Sequence, residues 1–401
     1  MRMRIEGGRA LVGGSLEETS VDLDCEGGVV TGVGAQASAE RVIDARGFVV
    51  LPGIVDVHGD AFERQMMPRP GVGFPIDVAL LESDRQAVAN GITTVFHGVT
   101  WSWEGGLRGA ENARAILDGI ERLRPRLGAD TRYHLRHETY NLDAEPEILT
   151  WLAGRRIDAI AFNDHMSGTV DASSRAQQLA QMVARAGVTH ERFLAVVERT
   201  KRRADEVPAS IERLAAAANA SGVPLLSHDD ASPEQRRWFR ALGCRLAEFP
   251  TTIATAEDAA SHGDDIVLGA PNVVRGGSHT GWIDATEMIG RGLCSVLASD
   301  YYYPAPLLGT GVVVRQQRNP ACIGGRGEPL DRSGNFVGPA FRALRHRQEA
   351  LTRDAGARDH LGELLRAARC VHRARHVIIE AIASIRRPLS HVRISGSASR
   401  L

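Results

Sequence analysis

The stretch "GIVDVHGD", Gly53 to Asp60, is an apolar run that delivers a histidine and then an aspartate at its end. A strand buried between other elements needs apolar residues, so polar groups at its tip call for another explanation. The sequence on either side supplies one. Residues 1–52 alternate short Val/Ile-rich pieces with glycine pairs ("ALVGG", "GGVVTGVG", "RVIDARGFVVLPG"), which predicts a small antiparallel sheet or β-sandwich. From Gly53 onward, short apolar runs alternate with helical stretches, the texture of βα repeats and a parallel sheet.

Eight such runs can be counted: "GIVDVH" (53–58), "GITTVFH" (91–97), "TRYHLRHE" (131–138), "IDAIAFND" (157–164), "VPLLSH" (223–228), "RLAEFP" (245–250), "DIVLGA" (265–270) and "CSVLASD" (294–300). Ala-rich amphipathic segments such as 204–220 supply helices, and the long spacer between the fourth and fifth runs holds extra ones. The predicted fold class is α/β, a (β/α)8 TIM barrel over residues 53–308 with the small β-sandwich of residues 1–52 appended. Catalytic groups in such a barrel stand where strands end and βα loops begin, which is where His58 and Asp60 fall.

Composition removes several alternatives. The chain has 401 residues and a formal net charge of −1, so no broad basic field invites nucleic acid. Cys25, Cys244, Cys294, Cys322 and Cys370 are scattered without a C-x-x-C pair, which suits a reduced, cytoplasmic protein. The start, "MRMRIEGGRALVGG", lacks the apolar core of a signal peptide, and no run is long and apolar enough to span a bilayer. Lys201, in the charged run "ERTKRRADE", is the only lysine. P-loop phosphate binding, a pyridoxal Schiff base and a carboxylated-lysine metal bridge all need a lysine near the chemistry, so these are disfavoured.

Ligand-type side chains recur at the run ends: His58 and Asp60, His97, His137 and Glu138, Asp164 and His165, His228 with Asp229 and Asp230, His279, and Asp300. One strand-end histidine is more often a hydrogen-bonded loop residue. Repetition over five or more strands argues for a metal site. Imidazole mixed with carboxylate suits zinc, manganese, iron or nickel better than calcium or magnesium.

"LPGIVDVHGD" after a small N-terminal sandwich resembles the amidohydrolase superfamily, whose first barrel strand carries an H-x-H or H-x-D pair. More specifically, "DVHGDAFERQMMPRPGV", "GITTVF", "SHDDAS", "EFPTT", "GAPNVVRGGSH" and "SDYYYP" are together similar to the α-D-ribose 1-methylphosphonate 5-triphosphate diphosphatases of the carbon–phosphorus lyase pathway. The resemblance implies two divalent metal ions, zinc first among them, and a homodimer of the kind superfamily barrels often form. It implies that His58 and Asp60 bind the more buried ion and that His165 and His228 bind the second. Glu138 would bridge them, where other members use a carboxylated lysine that this chain cannot supply. Asp300 would contact metal and take the proton of the attacking water. The strand count puts His165 and His228 on strands four and five, whereas the superfamily usually uses five and six.

A triphosphorylated sugar also demands cations and N–H donors. Arg69, Arg136, Arg275, Asn272 and His279 are the candidate substrate-binding residues, with Gly276 and Gly277 letting backbone N–H groups approach phosphate. His97 and His137 are candidates for orienting the ligands. The implied reaction is hydrolysis of a phosphoanhydride with release of pyrophosphate. Two other readings stand beside it: a C–N hydrolase such as a deaminase or deacylase, and an inactive metal-binding barrel. The last is motivated by residues 309–401, where the resemblance stops. This Arg-rich tail carries histidines without ligand spacing, and "RHVIIEAIASI" (375–385) is its one strongly apolar stretch. It reads as replaced or frame-altered sequence that leaves the sandwich short of strands.

Overall fold

Valine-rich runs between glycine turns pair into two small sheets at the N-terminus. The computed structural model describes residues 2–12, 15–26, 29–34, 38–166, 176–278, 283–309 and 379–380. The chain divides into two units, Met1–Pro52 with Arg373–Leu401, and Gly53–His372. In the first unit the strands are β1 (Arg2–Glu6), β2 (Arg9–Val12), β3 (Ser15–Glu18), β4 (Val21–Asp24), β5 (Val29–Val33), β6 (Arg41–Asp44) and β7 (Val49–Val50). One sheet runs in the order β5-β4-β1-β6, and a second contains β7-β2-β3. Ile5 and Leu23 of the first sheet share a core with Ala10 and Val50 of the second, which makes a sandwich.

The pairing is mixed, because β1–β6 and β2–β7 are parallel. The antiparallel expectation treated neighbours in sequence as neighbours in the sheet. Parallel pairing needs a long crossover, and the partners here lie far enough apart in the chain to allow one. Ile379–Glu380, within the apolar stretch of the tail, pairs antiparallel with β7 at its free edge.

In the second unit, β8 (Ile54–Gly59), β9 (Ile92–Trp101), β10 (Asp130–Glu138), β11 (Ala159–Asn163), β12 (Leu225–His228), β13 (Leu246–Glu248), β14 (Asp265–Gly269) and β15 (Val296–Ala298) form one sheet, each parallel to the next. Every one of the eight expected runs overlaps its strand. The sheet curls nearly shut: Asp300 N–H donates to His58 O and Asp60 N–H to Asp300 O, both at 2.9 Å. The closing bonds therefore lie at the residues that end the first and last strands.

The strands are apolar on both faces because both are covered. Phe96, Ala161, Leu226 and Leu246 fill the barrel interior, while Tyr133, Leu135 and Phe162 meet the helix layer. The helix Ala110–Leu123 buries Ala113, Ile116, Leu117, Ile120 and Leu123, the i, i+3, i+4, i+7 stripe of an amphipathic helix. Between β11 and β12 the described residues include the helices Ala176–Ala186, His190–Lys201 and Val207–Ser221, as the long spacer implied. No helix among the described residues is long and apolar enough to cross a membrane.

Candidate metal centre at the barrel mouth

His58, Asp60 and Asp300 converge because β8 and the segment after β15 are hydrogen-bonded neighbours. One ligand atom from each lies within 4.8 Å of the others. His58 is fully buried, and its Nε2 has no hydrogen-bond partner. Burial, followed by the nearby Arg136 guanidinium, pushes its pKa down to about 3, so the ring is neutral with a lone pair to offer. Gly98 of β9 makes room for that ring, since a Cβ there would sit 2.9 Å from its Nε2. Burial and then the Asp60 carboxylate hold Asp300 well above the usual carboxylate range.

The backbone at this mouth is strained. Asp229, Phe249 and Asp300 adopt left-handed φ of 59°, 56° and 52°, each just beyond the end of a barrel strand. Such conformations cost free energy and persist where the surrounding structure over-determines them, commonly at functional sites. All three residues line a pocket of about 300 Å³ that also contains His58, Asp60 and Arg136.

Deeper in the barrel, Glu248 at the end of β13 is enclosed by imidazoles. Its Oε1 lies 2.8 Å from His58 Nδ1 and its Oε2 2.7 Å from His228 Nδ1. His134 Nδ1 is 3.9 Å from Oε1, and His58, His134 and Glu248 form a second group with metal-ligand spacing. Burial raises the Glu248 pKa and lowers that of His134 to about 4. Neither residue was singled out from sequence. Glu248 lies inside the sixth run and opens "EFPTT", and His134 lies four residues before Glu138 on the same strand face.

Of the other expected ligands, His165 and His228 line the same pocket, and Glu138 lies outside its lining. Glu138 accepts from Asn163 Nδ2 at 2.7 Å and His165 N at 3.1 Å, and pairs with His165 Nδ1 at 2.6 Å. His228 has its Nδ1 on Glu248, and its Nε2 accepts from Arg136 Nη2 at 2.9 Å. Arg136 Nη1 also reaches Asp60 Oδ2 at 3.4 Å. Among the described residues, Glu138, His165 and His228 thus share no group with metal-ligand spacing. A guanidinium stands between His228 and Asp60, and the Glu138 carboxylate is already taken.

Of the substrate-binding candidates, Arg136 and Asn272 line the pocket. Arg275 ends the helix Ala270–Arg275, 3.5 Å from the Tyr301 hydroxyl and outside the pocket lining. Arg69 is exposed and also outside it. His279 lies outside the described residues. Arg108, which drew no notice in the sequence, lines the pocket and donates twice to Glu63 at 2.9 Å. His97 packs against Phe62 with ring centroids 4.9 Å apart, and His137 against Phe162 at 6.4 Å. Strand alternation turns His137 away from the Arg136 and Glu138 face, towards the helix layer.

No protein-family model matches the chain. It is 33% identical over 285 residues to the α-D-ribose 1-methylphosphonate 5-triphosphate diphosphatase of Escherichia coli (strain K12), a match spanning 68% of this chain and 73% of the relative. Among solved structures, a D-hydantoinase superposes with a TM-score of 0.46 at 14% identity, covering 75% of this chain and 68% of that one. A molinate hydrolase gives 0.46 at 18%, covering 75% and 73%. By its identity to the diphosphatase and the length over which it holds, the chain belongs to the α-D-ribose 1-methylphosphonate 5-triphosphate diphosphatase family.

Proposed function

We propose that this chain is a metal-dependent hydrolase that cleaves the phosphoanhydride of α-D-ribose 1-methylphosphonate 5-triphosphate and releases pyrophosphate, in phosphonate catabolism. The observation that carries the reading is the meeting of His58, Asp60 and Asp300 in a pocket whose wall also holds Arg108 and Arg136. The activity named for the relative supplies the substrate class. Arginines suit an anionic triphosphate, whereas a neutral amide or heterocycle would not need them.

One divalent cation fits the His58–Asp60–Asp300 group, by the chemistry of its donors: an unpartnered buried imidazole nitrogen and two carboxylates. Zinc is the first choice, with manganese, iron and nickel as alternatives. Bound there, it would supply Lewis acidity to a phosphoryl oxygen and a water. A second ion would require Glu138 to leave Asn163 and His165, and His228 Nε2 to leave Arg136.

The chain's own residues would do the rest. Asp300 takes the proton from a water whose oxygen attacks the phosphorus next to the sugar. The bond from that phosphorus to the bridging oxygen breaks, pyrophosphate departs, and the sugar 5-phosphate remains. Arg136 and Arg108 stabilise the charge that builds on the phosphoryl oxygens, and Asn272 orients the substrate. The test is to incubate zinc-loaded and chelator-stripped protein with the triphosphate and resolve products by phosphorus NMR. Pyrophosphate is expected from the loaded protein only. If zinc-loaded protein gives no phosphorus product but hydrolyses a cyclic amide, a C–N hydrolase replaces this reading.

A further inference from the structure

Glu248 lies among three imidazoles and outside the pocket lining. What it does can be read from the tautomers around it. Arg136 donates to His228 Nε2, so that nitrogen carries the lone pair and the ring proton must sit on Nδ1. His228 Nδ1 then donates to Glu248 Oε2 at 2.7 Å. His58 Nδ1 faces the other carboxylate oxygen at 2.8 Å, while its Nε2 is buried and unpartnered. His134 is held separately, with Nδ1 3.2 Å from Val57 O, an atom that can only accept. One fully buried carboxylate therefore receives an N–H from His228 and lies within hydrogen-bond distance of His58 Nδ1, on a different strand.

We propose that Glu248 is a positioning residue that fixes His58 and His228 as Nδ1–H tautomers, so that both Nε2 lone pairs face the pocket. The inference deepens the metal-site reading above and rests on it. A carboxylate behind an imidazole raises the ring's strength as a ligand and locks its orientation, and losing such a partner typically weakens metal binding by about 10–100-fold. The sharing of one carboxylate by β8 and β12 also ties the ring of His58 to the ring of His228. Any shift of β13 would move both.

The test uses the full chain labelled with nitrogen-15 histidine, free of metal, observed by long-range proton–nitrogen NMR. Wild-type His58 and His228 are expected to carry their proton on Nδ1. In Glu248→Gln the carboxamide can accept from one ring but must donate to the other. One ring should therefore move its proton to Nε2, while His134 stays unchanged. Zinc titration should show dissociation constants about 10–100-fold higher in the variant. A wild-type spectrum with either ring protonated on Nε2 overturns the proposal, whether or not the variant folds. Lost zinc affinity with unchanged tautomers would make Glu248 a ligand itself, which also overturns it, as would unchanged affinity. Neither readout uses a phosphorylated substrate, so failure here is separable from failure of the diphosphatase reading.

Discussion

Asp300→Asn should lower the rate of pyrophosphate release by about 10²–10⁴-fold, the usual contribution of a positioned general base. Asparagine is a demanding test because it preserves nearly everything else. It is among the residues that tolerate left-handed φ, so the 52° conformation is retained. Its backbone still accepts from Asp60 N–H and donates to His58 O, so the junction of first and last strands stays intact. Arg136 and Arg108 are untouched, so KM should change only a few-fold while kcat falls. Saturating zinc throughout prevents weakened metal binding from being mistaken for lost proton transfer. A loss of less than about 10-fold under those conditions would show that the base lies elsewhere.

The largest expected loss of stability comes from Arg236→Met. Arg236 is fully buried, an extreme place for a guanidinium, and is tolerated because its donors are almost all used. It pairs with Asp230 at 3.0 Å and Asp264 at 3.3 Å, and donates to Ser227 Oγ and to the carbonyls of Cys244 and Leu246. It thus joins the helix Pro233–Ala241 to the ends of β12 and β13, the two strands that carry His228 and Glu248. Methionine keeps much of the volume but leaves two buried carboxylates with reduced compensation. Removing one partner of such a network costs about 3–5 kcal/mol. Urea unfolding followed by circular dichroism should show that loss. Adding Asp230→Asn to the variant should recover part of it. A cost below about 1 kcal/mol would mean the network contributes little.

The barrel was legible because each strand is a short apolar run buried on both faces and punctuated by polar residues at one end. The convergence of His58, Asp60 and Asp300 was legible for the same reason: a polar side chain at a strand tip breaks an apolar pattern. Glu248 breaks the pattern in the same way, but two residues before its run ends, inside "EFPTT". His134 lies inside its run, and only the two-residue alternation of β10, together with the inward direction of Arg136 and Glu138, would have marked it. The same alternation explains His137, adjacent in sequence to both yet facing the opposite way.

The hydrogen bonds made by Glu138, His165 and His228 depend on which groups meet across the mouth. Strand order alone does not give that, because Asn163 and Arg136 compete for the same atoms. Arg69 and Arg275 illustrate a related limit. Arginine next to glycine and proline in a βα loop is compatible with a phosphate contact and with solvent, and both residues lie outside the pocket lining. In the sandwich, the parallel pairs β1–β6 and β2–β7 join segments too far apart in sequence for local patterning to match them.

Hydrolysis in oxygen-18 water bears most directly on whether these residues cleave a phosphoanhydride at the sugar-proximal phosphorus. Zinc-loaded protein would turn over the ribose triphosphate in labelled water, and phosphorus NMR would locate the isotope by its upfield shift. The label should appear in the sugar 5-phosphate and be absent from the pyrophosphate. Label in the pyrophosphate, or release of orthophosphate in its place, would contradict the assigned reaction.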